Sequence, residues 1–239
     1  MTRECKLDFK SLTAYISEYS LDKNIGNDKY FNNLKKMHKV YFSTVTWNIE
    51  MIHNTDIFTQ CFSNCNEDSI NRISESVSDF GSSLFNWMNG GYKVSRVMLR
   101  VGIENFIRGI GSINDKSILT EKSVYALFDN AKQLPIFNTS ETIKSAFYQL
   151  HSDYKLLCKD THTAGNGNMA QLSTLSGLPI FKDKKAKDSS EVFIRILKQT
   201  TYIFCLIFSS FYHQLHHRSK ENILHSVERK VKPMFAGAV

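Results

Sequence analysis

Apolar residues return every three to four positions along most of this chain, and proline almost never interrupts them. Only three prolines occur among the 239 residues. Proline ends helices because it lacks a backbone N–H and its ring clashes with the preceding turn. In one uninterrupted segment the apolar stripe passes through Tyr30, Leu34, Met37, Tyr41, Val45 and Ile49. This pattern predicts long amphipathic helices and favours no strand.

The periodicity predicts an all-α protein, a compact bundle of about six to eight helices. We expect one domain over residues 1–239, because a chain of this length buries a substantial core without disulfides. Thr120 is expected to cap a short helix, and Asn138 with Glu141 to form a capping box. The other predicted helices are 4–21, 29–54, 69–88, 92–110, 140–162, 190–217 and 219–232, with a loop and a short helix over 56–68.

Residues 163–189 break the helical periodicity and are expected to form a long basic loop. The segment contains three glycines, Pro179 and a run of charged residues that begins at Lys182. Loops of this length are uncommon inside compact domains and tend to be functional or disordered. We therefore expect this segment to be mobile and its lysines to contact phosphates, in particular Lys182, Lys184 and Lys185.

Charge and cysteine usage limit the partners and the compartment. The formal net charge is +7 and the pI is about 9.1, which suits a polyanion such as RNA, DNA or a membrane surface. Five cysteines without a C-x-x-C pair, and no signal peptide, indicate a reducing cytoplasm. The most apolar run, Tyr202–Phe211, has about half the length of a membrane span, so we expect a core helix and no membrane partner.

Two helical faces carry residues that could take part in catalysis or binding. Arg96, Arg100, Glu104 and Arg108 recur every four positions in the helix predicted over 92–110. This spacing is typical of a solvated ladder of ion pairs, each worth a few tenths of a kcal/mol, and equally allows a cationic site.

The second face is formed by His151, Lys155, Cys158 and His162, which follow spacings of four, three and four. His162 lies where the helix is expected to give way to the loop. An exposed imidazole there can act as a general acid or base near neutral pH, or simply cap the last helical carbonyls.

A third group, His213, His216 and His217, has helical spacing that could hold zinc. No cysteine or carboxylate lies close in sequence to complete the site. We expect these histidines to be solvated, and we expect no metal and no cofactor.

Two segments resemble the HEPN-like helical proteins of the abortive-infection, anti-phage type. The first is Arg100-Val101-Gly102-Ile103-Glu104-Asn105-Phe106-Ile107-Arg108. The second is Tyr154-Lys155-Leu156-Leu157-Cys158-Lys159-Asp160-Thr161-His162-Thr163. The resemblance covers these two predicted helices.

The resemblance implies a helical bundle that forms a homodimer with its histidine-bearing helices close together. It implies a cytoplasmic, metal-independent endoribonuclease of toxin or antiviral-defence type, with RNA as substrate and an antitoxin or another defence protein as partner. His162 would carry the proton, Arg100 or Arg108 would face the phosphate, and Glu104 would orient the arginine. Lys155 and Lys159 would bind RNA together with the loop lysines.

The chain departs from the family pattern at one position. The family has an arginine four to six residues before the histidine, where this chain has Leu156, Leu157 and Cys158. Two hypotheses remain: Arg100 or Arg108 replaces that arginine in space, or the protein is a non-catalytic subunit that dimerises and binds RNA or a partner protein.

Overall fold

A computed structural model describes residues 1–18, 21–159, 179–229 and 231–236, and within these ranges the chain forms helices and no strand. The all-α prediction is confirmed. The α-helices are α1 Arg3–Glu18, α2 Asp28–His53, α3 Thr55–Cys61, α4 Glu67–Met88, α5 Tyr92–Gly111, α6 Val124–Gln133, α7 Glu141–Cys158, α8 Asp183–Ile207, α9 Ser209–Gln214, α10 His217–Leu224 and α11 Pro233–Ala236. Short 3-10 helices cover Leu21–Asn24, Lys116–Leu119 and Pro135–Phe137.

Serine side chains cap the starts of α6 and α7. The Ser123 hydroxyl accepts the backbone N–H of Ala126 at the start of α6, so the predicted cap at Thr120 is three residues early. Ser140 caps α7 in the same way. The predicted Asn138 capping box is wrong, because the Asn138 amide instead donates to the carbonyls of Lys132 and Leu134 at the end of α6.

Helices α4 and α5 pack with their backbones unusually close. The chain reverses between them at Gly90, whose φ of 79° favours glycine. A Cβ on Gly102 would lie 2.5 Å from the Phe80 ring, and one on Gly109 would lie 3.0 Å from the backbone nitrogen of Ile73. Glycine at these positions therefore lets α5 lie directly against α4.

Two buried pairs of hydroxyl groups connect the same helices at either end. Ser83 and Ser95 share a hydrogen bond of 3.0 Å near the reversal, and Ser69 and Ser112 share one of 2.7 Å at the far end. Such buried polar contacts are satisfied only in one register of the two helices.

The core of the bundle lies between α2 and α8. Trp47 of α2 stacks on Phe204 of α8, and its indole N–H donates to the Cys205 sulfur at 3.3 Å. One cluster of buried apolar residues includes Ile16 of α1 and Phe235 of α11. None of the helices within the described part of the chain is long and apolar enough to cross a membrane.

The start of α8 differs from the prediction. Residues 183–189 are helical, so the loop expected over 163–189 is wrong for this part, whereas residues 160–178 lie outside the described ranges. Ala186 is fully buried, and its carbonyl accepts the indole N–H of Trp87 at 2.9 Å. Packing of this small residue against α4 stabilises the first turns of α8. The charged residues around Ala186 form no apolar stripe, so the sequence did not predict these turns.

The end of α8 also differs. The helix predicted over 190–217 stops at Ile207, because Phe208 leaves helical geometry with φ of −98° and ψ of 33°. The Phe208 ring is buried against Phe58 and Phe62, with centroids 4.9 and 4.8 Å away. Two short helices, α9 and α10, follow, and of the helix predicted over 219–232 only residues 219–224 belong to α10.

Candidate functional site

A pocket of about 520 Å³ lies where α5, α6 and α7 meet. It contains side chains from both faces that the sequence singled out, Arg100 from α5 and Lys155 from α7. The pocket is lined by Arg100, Ser123, Val124, Tyr125, Phe128, His151, Tyr154, Lys155 and Cys158.

Helix periodicity places these side chains at the edge of the core. In α7 the apolar stripe of Leu150, Tyr154 and Leu157 is buried. His151, Lys155 and Cys158 each follow one of these residues, so they lie about 100° further around the helix and face the pocket. In α5, Arg100 follows the fully buried Leu99 in the same manner.

Arg100, Tyr154 and Glu104 form a hydrogen-bonded network at the pocket wall. The Arg100 Nε donates to the Tyr154 hydroxyl at 3.0 Å, and that hydroxyl donates to the Glu104 Oε1 at 2.9 Å. An Arg100 Nη2 lies 3.2 Å from the same carboxylate oxygen, and the guanidinium carbon lies 5.4 Å from the centre of the Tyr154 ring. The two charged side chains are only 25% and 19% exposed, so this is not a solvated ladder.

The protonation states of this network follow from burial and charge. Burial acts to lower the pKa of Arg100, but the hydrogen bond to Tyr154 and the charge of Glu104 outweigh it and raise that pKa. Burial, and then Glu104, raise the pKa of Tyr154 above its ordinary value. At neutral pH the network therefore holds a guanidinium and an intact phenol.

His151 is the imidazole inside the pocket. Its ring stacks on Phe128, with centroids 4.5 Å apart and an interplanar angle of 6°. Burial, and then the charge of Lys155, lower the pKa of His151 below its usual value. The neutral ring can therefore accept a proton at neutral pH. The sequence placed His151 on the correct face, but the predicted catalytic histidine was His162, which lies outside the described residues.

Tyr125 is a pocket residue that the sequence did not indicate. It belongs to the first turn of α6, lines the pocket and is 85% exposed. An exposed aromatic ring beside cations is a surface on which an unpaired base can stack. No spacing in the sequence could identify it, because its relation to Arg100 depends on how α6 packs against α5.

Arg108 lies away from the pocket. One of its guanidinium N–H groups donates to the Ile118 carbonyl at 2.8 Å, which attaches the 3-10 helix Lys116–Leu119 to α5. Burial lowers its pKa. Of the two arginines predicted to face a phosphate, the structure therefore brings only Arg100 to the pocket.

The neighbouring Asn105 has a separate role in the packing of α4 against α5. Its amide donates to Asp79 at 2.8 Å and accepts a hydrogen bond from Arg72 at 3.0 Å. Burial raises the pKa of Asp79. The adjacent residues Glu104 and Asn105 thus make their contacts on two different faces of α5.

The remaining predicted RNA-binding lysines are exposed but do not line the pocket. Lys159 is the C-cap of α7. Lys182, Lys184 and Lys185 surround the start of α8. They can extend a basic surface but cannot contact a group held inside the pocket.

The histidines near the chain end do not assemble a metal site in the described residues. His213 belongs to α9, whereas His216 and His217 stand at the start of α10 with ring centroids 4.2 Å apart. No three His, Cys, Asp or Glu side chains within the described ranges are arranged to hold an ion.

Comparisons with known proteins give no assignment for this fold or pocket. No protein-family model matches the chain, and neither the curated proteins nor the solved structures contain a significant match.

Proposed function

We propose that the protein is a HEPN-like, metal-independent endoribonuclease of prokaryotic anti-phage defence or toxin type, with the pocket between α5, α6 and α7 as its RNA site. The observation that supports this most is that one pocket holds two cations, a neutral imidazole and an exposed aromatic ring. Arg100 and Lys155 supply the cations, His151 the imidazole and Tyr125 the ring. The metal independence and the biological role rest on the sequence resemblance.

The chemistry that fits these groups is attack by a ribose 2′-hydroxyl on the adjacent phosphate. His151 takes the hydroxyl proton while the 2′-oxygen bonds to phosphorus. The bond from phosphorus to the 5′-oxygen breaks, and that oxygen is protonated by an imidazolium, the role that the resemblance gives to His162. Arg100 and Lys155 stabilise the charge that develops on the phosphoryl oxygens. The products are a 2′,3′-cyclic phosphate and a free 5′-hydroxyl.

The Arg100 network favours a second candidate, a non-catalytic RNA-binding subunit. The Nε–H of Arg100 already donates to Tyr154, and the carboxylate of Glu104 at 3.2 Å offsets the charge of Arg100. In that case Arg100 strengthens the fold more than it stabilises a transition state, and the pocket binds RNA without cutting it.

Cleavage of a labelled single-stranded RNA in excess EDTA tests the proposal. We expect cyclic phosphate ends, with cleavage lost in His151→Asn and Arg100→Met and reduced in Lys155→Gln. The matched controls are His53→Asn, an exposed histidine at the end of α2, and Lys144→Gln, on the same helix as Lys155 but outside the pocket.

Three outcomes separate the candidates. RNA binding that depends on Lys155, with no cleavage by any form of the protein, would support the non-catalytic subunit. Full activity of both His151→Asn and His162→Asn would exclude an imidazole mechanism. Equal loss in the pocket variants and their controls would point to a general effect of charge or folding, which melting curves would reveal.

A further inference from the structure

A second basic region lies on another part of the bundle, where α2, α8 and the segment after α10 meet. Its centre is formed by Lys39, Lys198, His225 and Lys232, here called the basic cluster. Lys39 belongs to α2 and Lys198 to α8, which pack together. His225 and Lys232 follow α10 and line the same cavity.

Cavities border the cluster on two sides. One, of about 750 Å³, runs between α2 and α8 and includes Lys198 and Glu228 in its lining. The other, of about 680 Å³, lies between α1 and α10 and includes His225 and Lys232. The Lys198 ammonium and the Glu228 carboxylate, 3.2 Å apart, both belong to the first lining. Lys39 is near enough to both cavities to feel the charge of Lys198 in the first lining and of Lys232 in the second.

The positive charge in this region exceeds what nearby carboxylates balance. Four of the cations that line the groove between α2 and α8 have a carboxylate partner: Lys29 with Asp183, Lys187 with Glu191, Arg195 with Asp153 and Lys198 with Glu228. Lys36, Lys39 and Lys232 have no ion pair with any described residue. The exposed Arg3 and Arg218 face the second cavity with Glu4 and Glu221, so carboxylates are present there as well.

Like charges are crowded within the cluster. Burial lowers the pKa of Lys39, and the charges of Lys232 and Lys198 lower it further. Burial, and then the charge of Lys39, lower the pKa of His225 to about 4. The Nε2 of His225 is also buried without a hydrogen-bond partner among the described residues. An anion placed here would relieve the repulsion and give that nitrogen a partner.

We propose that the basic cluster and the groove between α2 and α8 bind the phosphates of a single nucleic-acid strand. The length of the groove favours a strand over a small phosphorylated molecule. Lys29 and Lys36 line the groove and Lys39 of the basic cluster follows them on α2, so these three lysines extend over about 15 Å of helix axis, at about 1.5 Å per residue. A strand carries one charge per about 3.4 Å of axis, so several phosphates fit this distance. This surface would bind a strand whether or not the pocket between α5, α6 and α7 cuts RNA.

Binding of a short 2′-O-methyl oligonucleotide tests this proposal separately from cleavage, because such a strand has no 2′-hydroxyl to attack its phosphates. Anisotropy titrations at several salt concentrations compare Lys39→Gln/Lys232→Gln with Lys10→Gln/Lys35→Gln. The control pair removes the same charge at exposed positions that line neither cavity. Lys36→Gln/Lys232→Gln replaces the first variant if Lys39→Gln prevents folding.

We expect the cluster variant to bind at least about tenfold more weakly at low salt. The slope of log K against log salt should fall by about 1.4, since each phosphate contact on a single strand contributes about 0.7. The control pair should keep the original slope. An NMR titration of the wild-type protein should show the pKa of His225 rising when the oligonucleotide is added.

Equal loss of affinity in both variants would overturn the proposal, because net charge alone would then explain binding. An unchanged pKa of His225 in the bound state would also overturn it. Pyrophosphate binding at the cluster without oligonucleotide binding would replace the strand by a small phosphate ligand. A loss of cleavage in the Arg100 and His151 variants, with oligonucleotide affinity preserved, would leave this surface in place.

Discussion

The Tyr154 hydroxyl lies between Arg100 and Glu104, accepting a hydrogen bond from the arginine and donating one to the carboxylate. This hydroxyl group therefore helps to position the Arg100 guanidinium and accepts one of the N–H groups with which Arg100 could bind an anion. This relationship joins α5 to α7 through polar groups that are mostly withdrawn from water. Its consequences for stability and for anion binding can be measured separately.

Removing the Tyr154 hydroxyl should weaken the fold without disturbing the core. In Tyr154→Phe the ring keeps its contact with Phe128, but Arg100 and Glu104 each lose a partner. We expect a loss of about 1–3 kcal/mol in the free energy of unfolding, because two part-buried charged groups each lose a hydrogen bond. Urea unfolding measures this, with Tyr148→Phe on the exposed side of α7 as control. Equal values for the two variants would show that the network adds nothing to stability.

Neutralising Glu104 should make Arg100 more available to an anion. In Glu104→Gln the guanidinium loses a carboxylate at 3.2 Å, so its charge attracts a phosphate more strongly. We expect several-fold tighter binding of a single-stranded 2′-O-methyl oligonucleotide. Glu141→Gln, which removes an exposed carboxylate from α7, controls for the change in net charge. Identical affinities for both variants would separate Arg100 from RNA binding.

His225 should make the protein sensitive to acid. Its pKa is lowered from 6.5 to about 4, so the unfolded chain binds a proton at a higher pH than the folded chain does. Stability is therefore lost as the pH falls from about 6.5 to about 4. Unfolding free energies at neutral pH and at about pH 4.5 should differ less in His225→Asn than in the wild type. His53→Asn should behave as the wild type, and the prediction fails if His225→Asn does so as well.

The glycines between α4 and α5 should tolerate no side chain. Gly109→Ala would place its Cβ 3.0 Å from the Ile73 backbone nitrogen and 3.1 Å from the Ser69 carbonyl oxygen, neither of which can easily move. We expect a loss of about 1–3 kcal/mol, the usual cost of overpacking. Gly26→Ala is the matched control, since its Cβ would meet no atom within 4 Å. Thermal unfolding of both variants checks the difference.

Strong apolar stripes made the central helices predictable. The helix expected over 29–54 is Asp28–His53, and the one expected over 92–110 is Tyr92–Gly111. The ends of α8 were not predictable in the same way. Ala186 is buried by its contact with Trp87, and Phe208 breaks the helix to fill a space beside Phe58. Both depend on distant partners rather than on local propensity.

The candidate site was predictable only in part, for a similar reason. Arg100 and Lys155 stood out because helical spacing placed them on polar faces. The sequence could not show that these faces meet, nor that Tyr125 lines the same pocket. That arrangement depends on how α5, α6 and α7 pack together. The position of Arg108 illustrates the limit. It shares the stripe of Arg100 but is bound to the Ile118 carbonyl.

The two buried hydroxyl pairs, Ser83 with Ser95 and Ser69 with Ser112, favour one register of α5 on α4. Arg100 lies between them along α5, so its position along α4 follows from that register. Helix α6, by contrast, begins with an exposed turn that carries Tyr125. A ligand that enters the pocket therefore meets a guanidinium whose position along α4 is set by these hydroxyl pairs, and an aromatic ring that is open to solvent.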